Sequence, residues 1–242
     1  MSHELRNFDL QPDHLHQHFA DRRVAGKLLA ERLAHDFANT SVAREAVVVG
    51  IAREGMILAE EVAQRMKLPL DILVVHTLRC SKDPQVKIGA VSSDGAYAVD
   101  CSRIEYMKAD RQHLEQQISE LRIKAADEEY EYWSQATSAP RIEWHDKPII
   151  IVDEGVETGL TAEAALITAR QRTNQTLIFL SPVISCDVFP RIRARCDQVV
   201  CLVMPRHLQR PFDLYADMSP FSERELVALI SRNAFELEQI AI

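Results

Sequence analysis

The sequence predicts an α/β protein built on a doubly wound, mostly parallel sheet. Two observations predict it: short β-branched runs alternate with helical stretches, and each run is apolar throughout rather than alternately polar. A strand covered by helices on both faces has no solvent side to pattern, so it reads as a continuous run such as Ala46-Val47-Val48-Val49-Gly50-Ile51.

The elements follow in order. Residues 19–38 place Ala25, Leu28, Leu29, Leu33 and Phe37 on one face of an amphipathic helix. The 46–51 strand comes next. Gly55 to Met66 is helical in composition and is stopped by Lys67-Leu68-Pro69. Asp71 to His76 is a second buried strand, which completes a β-α-β unit by residue 76. Residues 77–87 (TLRCSKDPQVK) carry no period and contain Pro84, so they read as a mobile loop. Ile88 to Val91 and Ala96 to Val99 flank Ser92-Ser93-Asp94-Gly95, a hairpin signal.

From 106 to 133, Met107, Leu114, Ile118, Leu121, Ala125 and Tyr132 recur in helical steps or their multiples. They predict one helix of about 42 Å, laid across the domain or against a second subunit of a homodimer. Ser138-Ala139-Pro140 ends it. Ile149 to Val152 is a third buried strand, followed by a helix over 161–172, a strand over 176–184, a short helix near 187–195, a strand over 198–203 and a helix over 223–238. The chain therefore reads as one domain over 1–242: a first half over 19–100, a helical insertion over 101–147, a second half over 148–204, and a C-terminal tail and helix over 205–242.

Composition narrows the function. Hydrophobic residues make up 47% and charged residues 26%, as in ordinary globular proteins. No apolar run approaches the roughly 18 residues of a membrane span, and the N-terminal stretch has no apolar core of a secretory signal. A net charge of −8 argues against nucleic acid as a partner. The five cysteines are odd in number, with no CxxC pair, which fits neither a disulfide framework nor a zinc site and suits a reducing, cytoplasmic setting. Cys186 and Cys201 read as small core hydrophobes. His14, His16 and His18 lack an acidic or cysteine partner at ligand spacing, so they predict no metal.

The chemistry concentrates between Ile149 and Thr161. In an open α/β sheet, ligands bind at the carboxyl ends of the strands. There the run Ile149-Ile150-Ile151-Val152 delivers two carboxylates, Asp153 and Glu154. The turn Gly155-Val156-Glu157-Thr158-Gly159-Leu160-Thr161 then exposes backbone N–H groups just before a helix, an arrangement that favours phosphate. Thr158 and Thr161 add hydroxyl donors. Carboxylates beside a phosphate cradle suit a sugar phosphate.

This stretch of thirteen residues resembles the phosphoribosyl pyrophosphate (PRPP) motif of type I phosphoribosyltransferases: four apolar residues, two acidic ones, and a loop ending Thr-Gly-x-Thr. Phe19-Ala20-Asp21-Arg22, Arg53-Glu54-Gly55, Ile88-Gly89-Ala90-Val91 and Tyr215-Ala216-Asp217-Met218-Ser219 extend the resemblance to a bacterial group of predicted phosphoribosyltransferases. The resemblance implies the type I fold, here with an inserted long helix and a small hood. It also implies a Mg²⁺-assisted displacement at the anomeric carbon of PRPP, with pyrophosphate leaving. Asp153 and Glu154 would accept from the ribose hydroxyls or hold the Mg²⁺, directly or through its waters. Gly155, Val156, Thr158, Gly159, Leu160 and Thr161 would bind the 5′-phosphate. Arg53, Glu54 and Gly55 match the pyrophosphate loop, and 77–87 matches the flexible loop that closes over PRPP and would bring Lys82 and Lys87 to it.

Several residues depart from the related group, the mildest being Glu154 in place of the commoner aspartate. Glu54 replaces a glycine, placing a carboxylate beside pyrophosphate and a side chain where a positive φ would favour glycine. His76-Thr77 stands where the group carries Arg-Lys. Glu157 stands where the group carries a small residue. Purine phosphoribosyltransferases place an aspartate there, near the base, which implies that Glu157 is a catalytic acid/base and that a purine is the acceptor; the other reading is that Glu157 points to solvent or caps the following helix, where the dipole favours an acidic residue. The alternative is a phosphoribosyltransferase-fold sensor that binds PRPP or a nucleotide without turnover; a phosphohydrolase would need a nucleophile that is not evident. The implied partners are PRPP and an unidentified acceptor. Arg191, Arg193 and Arg195 read as a solvated helix face, Arg206, His207 and Arg210 as either a roof over the acceptor or plain surface residues, and His76 as either a site group or a structural histidine.

Overall fold

The computed structural model describes residues 18–38, 40–136, 141–206, 208 and 210–240. His14, His16, His207 and the Ser138-Ala139-Pro140 helix stop lie outside them; His18 is exposed.

The chain opens with α1 (Arg22–Phe37), started by Asp21, whose carboxylate accepts the Val24 N–H at 2.8 Å. A short α2 (Val42–Glu45) leads into β1 (Val47–Ile51), α3 (Gly55–Met66) and β2 (Leu70–Leu73). Next come β3 (Val75–Cys80), β4 (Asp83–Ser92), β5 (Tyr97–Val99), α4 (Cys101–Tyr106) and α5 (Arg111–Ala136). The second half runs β6 (Ile149–Val152), α6 (Leu160–Arg172), β7 (Leu177–Val183), α7 (Phe189–Arg193), β8 (Gln198–Val203), a 3-10 turn at Pro211–Leu214 and α8 (Glu223–Ile240).

The main sheet is parallel throughout, in the order β2-β1-β6-β7-β8. Val48 pairs with Leu70 on one side and with Ile150 on the other. Alternate residues serve opposite layers. Val48, Ile150, Ile178 and Leu180 pack with α1 and α3, while Val47, Val49, Ile149, Ile151 and Phe179 pack with α6 and α7. Both faces are buried, which is why these strands are apolar without a break. Each such side chain contributes about 1.5–3 kcal/mol when withdrawn from water. The strand order reverses direction between β1 and β6, and the crevice outside their carboxyl ends is where this topology leaves room for a ligand.

The region between β2 and β6 differs from the sequence reading in three ways. The run from Asp71 to His76 is not one strand. β2 ends at Leu73, and the chain crosses at Val74 into a separate antiparallel sheet, β3-β4-β5. Residues 77–87 are not a loop: β3 and β4 form a long hairpin whose register runs from Val75↔Ser92 to Cys80↔Asp83, irregular around Arg79. Pro84 is tolerated because β5 pairs only with Gly89 to Val91, leaving that stretch of β4 with an open edge. The 106–133 helix is two helices. The chain turns at Lys108 (φ 48°), and Asp110 restarts it by accepting the His113 N–H at 2.8 Å.

The small sheet sits between two helices. Ala90 and Ala98 pack on Leu160 and Ala164 of α6. Leu78, Cys80 and Ile88 pack on Leu114, Ile118 and Leu121 of α5, with Met107 beside them. The apolar positions of α5 are thus used within the chain itself. All five cysteines are free thiols; Cys80 and Cys196 are buried, whereas Cys186 and Cys201 are only half-buried. No helix is long and apolar enough to cross a membrane.

Candidate active site

The four buried residues of β6 carry Asp153 and Glu154 to the carboxyl end of the sheet. The following loop is fastened to the next strand connection: Val156 N–H donates to Val183 O at 2.8 Å, and Ser185 N–H donates to Val156 O at 3.0 Å. Gly159 then takes a left-handed conformation (φ 77°), and a Cβ there would collide with Val188 Cγ1. Conformation and space both require glycine. α6 starts immediately after it, so its first-turn N–H groups, which have no partner within the helix, lie at the cleft wall.

The cleft holds about 210 Å³. One wall is Asp153 to Ala162, a second is Ile51 and Ala52 at the end of β1, and a third is Val75, Thr77, Lys87 and Gly89 from the small sheet. Phe212 lines the remaining side. Gly55 belongs to the frame: a Cβ there would stand 2.8 Å from Val152 O, so glycine lets α3 begin directly against β6.

Several predicted residues meet here. Asp153, Glu154, Gly155, Val156, Glu157, Thr158, Gly159, Leu160, Thr161 and Lys87 all line the cleft. Lys87 Nζ lies 3.1 Å from Glu157 Oε2. Lys82 is elsewhere. Its ammonium donates to Met107 O at 3.2 Å and Lys108 O at 2.7 Å, capping α4, because the hairpin tip folds against that helix rather than over the cleft. Arg53 does not line the cleft either; its guanidinium lies 3.4 Å from Glu223 at the start of α8. The Ala52–Arg53 peptide bond is cis. Glu54 has right-handed helical backbone (φ −67°), so the position has no need of glycine.

The remaining candidates are occupied structurally. His76 Nε2 lies 3.2 Å from a Glu128 carboxylate oxygen of α5 without hydrogen-bond geometry, and burial lowers its pKa. Arg191 and Arg195 are exposed, as a solvated face requires, and both also pair with the buried carboxylate of Glu163 on α6, while Arg193 donates to Cys196 O, so the same arginines tie α7 down. Arg210 pairs with Asp213 at 3.0 Å, and neither it nor Arg206 lines the cleft.

The carboxylate pair is electrostatically uncomfortable. Asp153 is 5% exposed, and burial pushes its pKa up. Glu154 is raised well above the ordinary carboxylate range, by burial first and by the neighbouring Asp153 second. Glu54 adds repulsion to both, and none of the largest contributions to either shift comes from a Lys or Arg. Such a pair is suited to hydroxyl donors or to a cation. Among the described residues, no cluster of three or more His, Cys, Asp or Glu is placed to hold a metal.

Sequence reasoning missed Phe212 and the role of Tyr215. Tyr215 is buried against Phe19, ring centroids 5.4 Å apart, and its hydroxyl donates to Glu154 O at 2.6 Å. That bond ties the C-terminal segment to the carboxylate turn and brings Phe212 to the cleft. No local pattern signals Phe212, whose placement depends on the chain folding back after β8.

A family model described as phosphoribosyl transferase domain matches residues 13–172. The chain is 30% identical over 218 residues to the Mycobacterium tuberculosis H37Rv protein Rv0571c, whose name places it among the phosphoribosyl transferases; the match covers 88% of this chain and 46% of that protein. The corresponding protein of strain CDC 1551 matches equally. The chain thus spans about half the length of the curated relatives it matches. Among solved structures, that of TT1426 from Thermus thermophilus superposes with a TM-score of 0.71 at 29% identity, covering 89% of this chain and 98% of that one.

Proposed function

Because the chain belongs to the phosphoribosyltransferase family, we propose that it transfers the 5-phosphoribosyl group of PRPP to a nitrogen nucleophile, with a purine base as the acceptor. One observation carries this reading: the phosphate cradle over 155–161 and the carboxylates Asp153 and Glu154 share one cleft at the reversal point of the sheet. A ribose 5-phosphate seated there has its phosphate on the α6 N-terminus and its hydroxyls toward the carboxylates.

The reaction breaks the bond from the anomeric carbon to pyrophosphate and forms a carbon–nitrogen bond, while the acceptor nitrogen loses a proton. Positive charge develops on the ribose, as in glycoside chemistry, and carboxylates accepting from its hydroxyls stabilise that charge. Glu157, a residue of the cradle loop, would take the proton in this reading. The family implies Mg²⁺, and the residues present fit it: Asp153 is buried, Glu154 is half-buried, neither has an ion-pair partner among the described residues, and Mg²⁺ is ordinarily held by one or two carboxylates together with substrate phosphates. Bound there, Mg²⁺ would neutralise charge on the departing pyrophosphate.

A second reading, binding of PRPP or a nucleotide without turnover, is favoured by Arg53 turning to Glu223 and by Thr77 standing in the cleft wall where a cation would assist departure. The two are separated by calorimetric titration with PRPP and Mg²⁺, followed by assay of pyrophosphate release with hypoxanthine, guanine and adenine. Release with any of the three supports transfer. Binding without release from all three supports the sensor, and absence of binding contradicts both.

A further inference from the structure

Lys87 and Glu157 meet at the cleft from elements 70 residues apart in the chain. The backbone of Lys87 is fixed, since it pairs with Arg79 across the hairpin and its carbonyl accepts from Arg103 at 3.1 Å. The side chains are not fixed by packing: that of Lys87 is 39% exposed and that of Glu157 is 37% exposed. The pair also stands between two open spaces. On one side is the cleft; on the other is a groove of about 410 Å³ between Val86 and Met107, and Lys87, Glu157 and Thr158 line both. The four-carbon stem of Lys87 can therefore swing without displacing other protein atoms.

Charge decides where the ammonium goes. Glu157 lies inside the phosphate cradle, so an arriving phosphomonoester meets a carboxylate at its own binding loop. Among the described residues that line the cleft, Lys87 is the only Lys or Arg. We propose that Glu157 and the phosphate of a bound ribose 5-phosphate compete for the Lys87 ammonium, so that Glu157 restrains phosphate affinity until the ligand draws Lys87 away. The inference rests on the phosphate-cradle reading above and adds a coupling to it. When Lys87 moves to the phosphate, the Glu157 carboxylate is released, and the group that would take the acceptor's proton becomes free only in a loaded site.

A double-mutant cycle on the full chain tests this, with affinity for ribose 5-phosphate measured by calorimetry. Lys87→Ala should weaken binding about tenfold, the scale of one charge-assisted hydrogen bond in a part-exposed site. Glu157→Gln should tighten it about three- to tenfold, because the competitor is gone while the shape is kept. In the Lys87→Ala background, Glu157→Gln should tighten binding distinctly less than in the wild type, since only direct repulsion of the phosphate remains once there is no ammonium to compete for. If Glu157→Gln tightens binding equally in both backgrounds, Glu157 merely repels phosphate and the competition is overturned while the cradle stands. If Glu157→Gln weakens binding or leaves it unchanged, the competition is likewise overturned. If the wild type binds no ribose 5-phosphate, both the cradle and the competition are overturned.

Discussion

Gly159 lies so close to Val188 that a Cβ at position 159 would overlap Val188 Cγ1, and its φ is 77°. Gly159→Ala should therefore act twice, through left-handed backbone costing about 1–2 kcal/mol and through a clash that moves the cradle. Ribose 5-phosphate affinity should fall at least about tenfold. Adding Val188→Ala should recover part of the thermal stability by removing the clash, and less of the affinity because the backbone preference remains. Calorimetry and thermal melts check both.

Lys82 and Lys87 should behave oppositely, although both lie on the hairpin. Lys82 holds the carbonyls that end α4, so Lys82→Ala should lower stability slightly and leave ribose 5-phosphate affinity within about twofold. A large loss of affinity in that variant would show that the hairpin tip reaches the ligand.

Trp144 secures the strand that feeds this hairpin. Its indole N–H donates at 2.7 Å to Asp71 Oδ2, and Asp71 is 1% exposed. Trp144→Phe keeps most of the ring but leaves that carboxylate oxygen without its donor, which should cost about 1–3 kcal/mol in urea unfolding. Asp71 also accepts from Arg141, so the loss should stay short of the cost of breaking the whole network.

Glu129 links α5 to the crossover into the small sheet by accepting from Val74 N–H at 2.8 Å, Ser93 Oγ at 2.6 Å and Arg141 at 3.0 Å. Burial nevertheless holds its pKa above the ordinary value of 4.5. Between that value and the raised one, the folded state binds more protons than the unfolded chain, so stability falls as pH rises through this window. Glu129→Gln removes the titration. The stability of the wild type relative to that variant should therefore decline as pH is raised from about 4.5, as urea unfolding at a series of pH values would reveal. A difference that stays flat or grows would contradict the dominance of burial at this carboxylate.

The parts legible in the sequence were those fixed by local physics. β1 and β6 are covered on both faces, so Val47 to Ile51 and Ile149 to Val152 announce themselves as unbroken apolar runs. The turn ahead of α6 was legible as a turn because Gly159, with its left-handed backbone, stands directly before the helix. The hairpin was hidden because the outer half of β4 has an open edge, where Pro84 and polar residues are allowed. The break before α5 rests on Asp110, a capping signal that the longer apolar period masked. The departure of Arg53 from the cleft depends on Glu223, 170 residues away, and no local pattern carries that.

If Asp153, Glu154 and the 155–161 cradle together carry out phosphoribosyl transfer, the carboxylates should be indispensable to it. The most direct test is the rate of pyrophosphate release from PRPP, Mg²⁺ and hypoxanthine, measured for the wild type and for the Asp153→Asn/Glu154→Gln double variant. Release by the wild type is expected, with a fall of at least about a hundredfold in the variant, the scale on which charge-stabilising groups act. Equal release by the two proteins, or none by the wild type with hypoxanthine or with guanine or adenine in its place, would contradict that role.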